Sequence, residues 1–373
     1  MTGPYSGTVK RILIAVLTMT ALAACSQATN PEPPASSAAS DGPNASPPAP
    51  TEPTVTGEIA RNLEAPWSVV PLSGDRALIS ERDTAKILLL QNGQTSEIGN
   101  PPEVLPGGEG GLLGLAVQSP DPDTVFAYYT AATDNRVVAF DFDGERLSNE
   151  RTILGGIPKG FIHNGGRIAF GPDGFLYVAT GETGEPDLAQ DRSSLAGKIL
   201  RITPKGNPAP GNPDPASPVY SYGHRNVQGL AWDTAGRLWA TEFGQDDVDE
   251  LNLIEPGGNY GWPQCEGRCD IPGTTNPKAT WSPTATSSPS GLAIVNGSAW
   301  VAALRGQALY EVRLDGTRAA DPQAWFDGEY GRLRDVVEAP NGQLWVVTNN
   351  TDGRGQPTSG DDRIIQVEVP SLD

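Results

Sequence analysis

The amino-acid sequence predicts an all-β fold, a six-bladed β-propeller, from three observations. The chain holds 44 glycines and 35 prolines among its 373 residues. Apolar residues rarely recur with the helical period of 3.6, so helices are not the main element. A turn rich in Asp, Asn, Pro and Gly, followed by a short apolar strand, recurs along the chain. The alternative, a large β-sandwich, does not predict one such signature at regular intervals.

The recurring turn marks one copy of a repeated unit. The spacings between successive copies are 48, 52, 62, 61 and 45 residues, measured between Gly74, Pro122 in a weaker copy, Gly174, Gly236, Gly297 and Gly342. A four-stranded blade of roughly 40–50 residues plus its loops fits these intervals. A ring of blades must also close, because an unpaired terminal strand leaves an open edge. Residues 54–63 and 363–369 are the predicted partners for closure.

The N-terminal segment, residues 1–24, resembles a lipoprotein-type export signal. Lys10 and Arg11 precede an apolar run that is too short to span a bilayer comfortably, and the run ends in Leu-Ala-Ala-Cys at Cys25. This box predicts cleavage before Cys25 and a lipid on its sulfur. An ordinary cleaved signal with a chance cysteine is the alternative. We expect an exported protein, lipid-anchored to the outer face of the bacterial cell membrane.

Composition separates the remaining chain into two parts. Residues 25–53 are rich in Pro, Ala and Ser and predict a disordered tether, whereas residues 54–373 form the predicted propeller domain. The net charge of −19 argues against nucleic acid as a partner. Cys265 and Cys269 predict a local disulfide in an oxidising compartment, because a zinc site would need two more soft ligands nearby.

The chain has only two histidines, His163 in H-N-G-G-R and His224 in Y-G-H-R-N. Histidine is the side chain whose proton moves near neutral pH, so each is a candidate general base. We place His163 after the start of the third blade. For His224 we favour a structural role, in which it braces the loop that carries Arg225.

Several arginines lie near the repeat markers, where propeller loops converge on the central axis. Arg225 and the neighbouring Asn226 open the fourth blade, Arg305 lies in the fifth, and Arg332 and Arg334 open the sixth. Guanidinium groups pair carboxylates in a bidentate way, so their convergence predicts an anionic ligand with several carboxylates. For any single arginine, the alternative is a surface ion pair with a neighbour such as Asp335.

Five segments together resemble one known family. They are E-G-G-L-L-G-L-A from Glu109, H-N-G-G-R from His163, Y-G-H-R-N-V-Q-G-L from Tyr222, G-N-Y-G-W-P from Gly258 and G-R-L-R-D from Gly331. In this order, over roughly residues 55–368, they resemble the soluble PQQ-dependent glucose/sorbosone dehydrogenases, particularly the aldose sugar dehydrogenase branch. The resemblance implies pyrroloquinoline quinone (PQQ) and Ca²⁺ at the axis of a propeller. It also implies oxidation of aldose sugars at the anomeric carbon to lactones, with electrons passed to an external acceptor.

The resemblance also implies roles for individual residues. His163 is the base that takes the proton of the anomeric hydroxyl, and the contacts to PQQ are Arg225, Asn226, Arg305, Arg332 and Arg334. Glu109 stands where some members have glutamine. A carboxylate there would repel the quinone oxygens unless an arginine or calcium compensates or the group is protonated, so Glu109 is a weaker contact.

For calcium, the resemblance implies the backbone carbonyls of Gly244 and Gln245, and for a second ion Glu250 with the carbonyl of Tyr260. A solvated loop acid is the alternative for Glu250. Two other functions stay open at this point. A calcium-dependent propeller lactonase would need acidic and amide metal ligands at the axis rather than arginines. A non-catalytic propeller that binds carbohydrate or protein has the same fold.

Overall fold

The computed structural model describes residues 51–371, whose regular secondary structure is almost entirely β-strand. Two short 3₁₀ helices, Pro186–Ala189 and Thr284–Thr286, are the only helices in this range. The first thirteen strands are β1 Thr54–Ala60, β2 Pro66–Pro71, β3 Ala77–Glu81, β4 Ile87–Gln91, β5 Gln94–Gly99, β6 Leu112–Ala116, β7 Thr124–Thr130, β8 Asn135–Phe142, β9 Leu147–Ile157, β10 Ile168–Phe170, β11 Leu176–Ala179, β12 Lys198–Ile202 and β13 Val219–Tyr222. The remaining strands are β14 Val227–Trp232, β15 Leu238–Glu242, β16 Asp249–Ile254, β17 Ala279–Trp281, β18 Pro289–Val295, β19 Ser298–Ala303, β20 Leu309–Asp315, β21 Arg318–Ala319, β22 Gln323–Trp325, β23 Leu333–Glu338, β24 Leu344–Thr348 and β25 Ile364–Glu368.

These strands form six antiparallel sheets, which confirms the six-bladed β-propeller. Blade 1 is β2–β5, blade 2 is β6–β9, blade 3 is β10–β13 and blade 4 is β14–β17. Blade 5 is β18–β21 with β22 added against β20, and blade 6 is β23–β25 completed by β1. The first strand of each blade neighbours the first strands of the adjacent blades, so these six strands surround the axis.

The ring closes through its two ends. β1 pairs with β25 in antiparallel register, with Thr54 opposite Glu368 and Ala60 opposite Ile364. This pairing agrees with the predicted partners. Because β1 covers the free edge of β25, blade 6 gains its fourth strand from the beginning of the chain.

The hydrophobic core is divided into six clusters, and each cluster lies between two neighbouring blades. Between blades 6 and 1, for example, Trp345 and Ile364 pack with Ile79 and Leu90. Adjacent sheets thus bury their apolar faces against each other around the whole ring. A β-sandwich would have a single apolar layer between two sheets, so the arrangement of the core excludes the sandwich.

All six sequence markers lie in the turn between the first and second strands of a blade. The five marker glycines have φ between 71° and 79°. Residues with a Cβ rarely adopt this left-handed conformation, which explains why glycine recurs there. Pro122 occupies the equivalent turn of blade 2, and its copy of the signature is weaker because it has no such glycine.

The predicted signal, the lipid site at Cys25 and the tether lie outside the described residues, apart from residues 51–53. They stay predictions. Over residues 51–371 no helix is long and apolar enough to cross a membrane. Cys265 and Cys269 form the predicted disulfide, with 5.6 Å between their Cα atoms.

Candidate active site

A pocket of about 220 Å³ brings together most of the predicted site residues. Most of its lining residues lie in loops that lead into the first strand of a blade or follow the second strand of a blade. Of the predicted residues it includes Glu109, His163, Arg225, Gly244, Gln245, Arg305 and Arg332; its other lining residues are Phe243, Asp249, Thr284, Ser288, Leu304 and Arg354.

His163 lies in the connection between β9 and β10, so it precedes blade 3 and our placement after the start of that blade was wrong. Its backbone has a φ of 53°, and the loop is held tightly against blade 3. A Cβ on Gly165 would come within 2.6 Å of the Ala179 carbonyl oxygen, so the H-N-G-G segment needs its glycine here. The Gly165 N–H donates to Asn226 Oδ1 at 3.0 Å, which ties the histidine loop to the start of blade 4.

Glu182, which the sequence analysis missed, holds the ring of His163. Its Oε1 contacts His163 Nδ1 within hydrogen-bond distance, and the carboxylate is almost completely buried. A carboxylate at Nδ1 fixes the tautomer with the proton on that nitrogen, so Nε2 carries the free lone pair. Nε2 makes no hydrogen bond to the described residues. The pair therefore presents an oriented, basic nitrogen at the pocket.

The negative charge of Glu109 is compensated by an arginine, which is one of the three conditions named above for a carboxylate at this position. Its Oε2 accepts the His163 backbone N–H at 2.9 Å, and its Oε1 lies 3.2 Å from Arg354 Nη1. Burial opposes ionisation, but the hydrogen bond from His163 and the charge of Arg354 outweigh it, so the pKa of Glu109 is lowered. Glu109 is thus an ionised group, and Arg354 is a pocket residue that the sequence analysis missed.

Four of the predicted ligand contacts carry buried donor atoms that have no acceptor among the described residues. They are Arg225 Nε, Asn226 Nδ2, Arg332 Nε and Arg334 Nε. Arg225 donates to the Phe243 carbonyl at 3.3 Å and lies over the ring of Trp262, and burial lowers its pKa. Arg332 pairs with Asp352 at 2.9 Å. Buried donors without acceptors are costly, so these atoms indicate a site for an anionic ligand.

Arg305 and Arg334 differ from Arg225 and Arg332 in their position relative to the pocket. Arg305 lines the pocket but is exposed, and it has no hydrogen-bond or ion-pair partner in residues 51–371. Arg334 is buried near the axis, where it donates to Gln228 Oε1 at 2.7 Å. It does not line the pocket, and its Nε also lacks an acceptor in the part of the chain described. Asp335 pairs instead with Arg167 at 2.9 Å, so it is not the ion-pair partner of the candidate arginines.

His224 has a structural position, as we favoured. It is completely buried, with Nδ1 2.8 Å from Glu242 Oε2 and Nε2 2.8 Å from Ser221 Oγ. Its ring stacks on Tyr260, with 4.6 Å between the ring centroids. The other oxygen of Glu242 accepts the Arg225 backbone N–H. Both nitrogens of His224 are therefore occupied, and its glutamate braces the Arg225 loop.

The predicted calcium residues have two kinds of environment. The carbonyls of Gly244 and Gln245 accept no hydrogen bond from residues 51–371, and both residues line the pocket. Glu250 is buried in β16, which rules out a solvated loop acid; burial and then the charge of Glu242 raise its pKa to about 8. Tyr260 is also buried, and its hydroxyl donates to the Leu253 carbonyl at 2.7 Å. No group of three or more His, Cys, Asp and Glu side chains is placed to hold a metal within the described range.

The chain is similar to known proteins over most of its length. A family model described as "Glucose / Sorbosone dehydrogenase" matches residues 63–357. The structure of the PQQ-bound aldose sugar dehydrogenase of Streptomyces coelicolor is 55% identical; it covers 87% of this chain and 100% of its own, with a TM-score of 0.82. An oxidoreductase of Thermus thermophilus, described as a glucose dehydrogenase, is 45% identical, covers 83% of this chain and 98% of its own, and has a TM-score of 0.79.

Among the curated proteins, the aldose sugar dehydrogenase YliI of Escherichia coli is 28% identical over 345 residues, which is 80% of this chain and 91% of YliI. The match of the family model extends from the connection between β1 and β2 to the loop after β24. The chain belongs to the glucose/sorbosone dehydrogenase family.

Proposed function

We propose that this protein is a PQQ-dependent sugar dehydrogenase, which oxidises aldose sugars at the anomeric carbon to lactones. The observation that carries the proposal is the arrangement at one pocket. His163, whose ring contacts the buried Glu182, lines this pocket together with Arg225 and Arg332. Both arginines carry buried donors without acceptors in the described residues, and so does Asn226, next to Arg225 in the sequence. Membership of the family and the 55% identity to a PQQ-bound aldose sugar dehydrogenase support the same activity.

The residues around the pocket suit PQQ because the cofactor carries several carboxylates. Arg225 and Arg332 would pair with them, and Asn226 would donate a neutral hydrogen bond. Arg334 would contribute positive charge from its buried position near the axis, and Arg305 from the exposed side of the pocket. When bound, PQQ supplies the group that accepts the two electrons of the sugar. We assign Glu109 mainly to the His163 loop, because both its oxygens already have partners.

His163 would act as the general base. Glu182 holds the proton at Nδ1, so Nε2 can accept the proton of the anomeric hydroxyl. The charge of Glu182 stabilises the imidazolium that forms, and burial strengthens this interaction because little water screens it. In this proposal the protein orients the sugar at the pocket and takes one proton at a fixed atom, Nε2 of His163.

Calcium belongs to this proposal through the carbonyls of Gly244 and Gln245. Ca²⁺ prefers oxygen ligands, and these two carbonyls have no donor among the described residues. We also propose a second Ca²⁺ at Glu250 and the Tyr260 carbonyl, where a cation would favour the ionised form of a buried acid. An external acceptor would then take the electrons. Export and lipid attachment at Cys25 complete the proposal on sequence grounds.

The test is reconstitution of the full chain, prepared without cofactor, with PQQ and Ca²⁺. Dye reduction is followed with a panel of aldoses, and omission of PQQ or addition of EDTA serves as the control. We expect turnover that needs both additions, and an H163Q variant that binds PQQ but loses at least a hundredfold in kcat, as expected for removal of a general base. Turnover by H163Q at the wild-type rate would contradict the base assignment. Failure of the wild type to bind PQQ would contradict the proposed function.

A further inference from the structure

We propose that Glu266 is a positioning residue for the cofactor pocket and that the Cys265–Cys269 disulfide holds it in place. The carboxylate of Glu266 lies against the turn between β15 and β16. Its Oε1 accepts four consecutive backbone N–H groups, from Gln245 at 2.8 Å, Asp246 at 3.0 Å, Asp247 at 2.8 Å and Val248 at 3.0 Å. These N–H groups have no other acceptor among the described backbone carbonyls.

This contact sets the direction of the carbonyls at the pocket. In a planar trans peptide, the N–H and the C=O point in opposite directions. The Gln245 N–H points at Glu266, so the Gly244 carbonyl points away from it. The Asp246 N–H fixes the Gln245 carbonyl in the same way. Gly244 and Gln245 line the pocket, so Glu266 orients the two oxygens that we assign to calcium.

A carboxylate suits this position better than a neutral acceptor. Charge-assisted hydrogen bonds are roughly twice as strong as neutral ones. Glu266 has no Lys, Arg or His partner within 4 Å in residues 51–371, so its charge is balanced mainly by the backbone dipoles of the turn. Loss of the carboxylate would leave these four N–H groups to water, and no other acceptor in the described residues would hold the turn in this shape.

The disulfide fixes the position of Glu266. Cys265 and Cys269 enclose it in a loop of five residues whose end Cα atoms are 5.6 Å apart. The same loop is seated on blade 4, because the Gly267 N–H donates to Glu250 Oε1 at 2.7 Å. Gly267 has a φ of 73°, and a Cβ there would come within 2.6 Å of a Val248 methyl group. The loop therefore packs directly on the turn that it orients.

This inference rests on the proposed function and is tested on the full chain. PQQ uptake is followed by quenching of tryptophan fluorescence while Ca²⁺ is varied. We expect E266A to raise the Ca²⁺ concentration for half-maximal PQQ uptake at least tenfold, with partial rescue in E266Q, which keeps an acceptor oxygen. The matched control is D143A, because Asp143 also accepts two turn N–H groups, at 2.9 and 2.7 Å, but in the β8–β9 turn of blade 2. D143A should leave the Ca²⁺ requirement unchanged.

Two further measurements separate the possible outcomes. Hydrogen exchange of the apoprotein should show faster exchange at residues 245–248 in E266A. Dithiothreitol should raise the Ca²⁺ requirement of the wild type, and a C265S/C269S double variant should show that higher requirement without the reductant. If the wild type takes up PQQ and E266A has the same Ca²⁺ requirement as the wild type, the role of Glu266 is overturned and the proposed function is not. A wild type that takes up no PQQ at any Ca²⁺ concentration would overturn the proposed function and this role with it.

Discussion

Replacement of Glu182 by glutamine tests the chemistry of the pocket most directly. Glutamine has almost the same shape and keeps an oxygen that can accept the proton of His163 Nδ1. The ring can therefore keep its orientation, but the negative charge that would stabilise its protonated form is lost. We expect E182Q to bind PQQ like the wild type and to turn over sugar more slowly.

The magnitude follows from the burial of the pair. Glu182 is 1% exposed and its second oxygen has no hydrogen-bond partner in the described part of the chain, so water screens its charge from His163 only weakly. A hydrogen bond to a charged group contributes about 1.5–3 kcal/mol. If this contribution is present only when His163 is protonated in the transition state, kcat falls by about 10- to 150-fold, at about 1.4 kcal/mol for each factor of ten.

The assay is steady-state dye reduction with saturating PQQ and Ca²⁺, with kcat and KM determined separately. Fluorescence titration with PQQ and the thermal unfolding midpoint of the apoprotein serve as controls for folding and cofactor binding. The expected result is a lower kcat with an unchanged PQQ titration. If E182Q keeps the wild-type kcat, the charge of Glu182 has no role in proton transfer, and the argument from the His163–Glu182 pair is refuted.

Two other substitutions test the charges around the pocket. E109Q removes a negative charge and frees Arg354. We therefore expect E109Q to reach half-saturation at a PQQ concentration three- to tenfold lower than the wild type, measured by the same titration. Weaker PQQ uptake by E109Q than by the wild type would contradict a mainly structural role for Glu109. The pKa of Glu109 is lowered in the folded state, so the unfolded state binds more protons as the pH falls below the ordinary range of a glutamate. The wild type should therefore lose stability on acidification in that window, and E109Q should lose less, as urea unfolding at several pH values would show. R334M removes a buried charge whose pKa is lowered by burial, so the apoprotein should unfold at a temperature no lower than the wild type, while half-saturation with PQQ should need at least tenfold more cofactor. Unchanged PQQ uptake by R334M would show that the charge near the axis does not act on the ligand.

The fold was predictable because its signal repeats. Each blade needs a tight turn after its first strand, and a left-handed backbone there selects glycine, so Gly74, Gly174, Gly236, Gly297 and Gly342 report the blades directly. Closure was predictable for a similar reason, since residues 54–63 and 363–369 both carry strand patterns. The propeller could therefore be predicted, because local backbone conformations in each blade select particular residues in the sequence.

The candidate site was predictable only in part. Glu182 and Arg354 were missed because the path of a loop in the folded protein decides whether its carboxylate or guanidinium group reaches the pocket. The local sequence does not specify that path. A signal for Glu182 did exist. His163 and His224 each precede the first strand of a blade, and each pairs with a glutamate at or just after the end of the second strand, Glu182 or Glu242. Comparison of the blades with one another would have found it.

The closure of blade 6 has a consequence for the order in which the molecule can be completed during synthesis. β1 is synthesised long before its partner β25, because blades 1 to 5 and the other two strands of blade 6 lie between them in the sequence. Until that strand exists, β1 has no sheet to join, and blades 1 and 6 cannot bury their shared cluster. β25 thus completes the ring of six blades, and a protein that lacks β1 or β25 has an open seam rather than one missing edge.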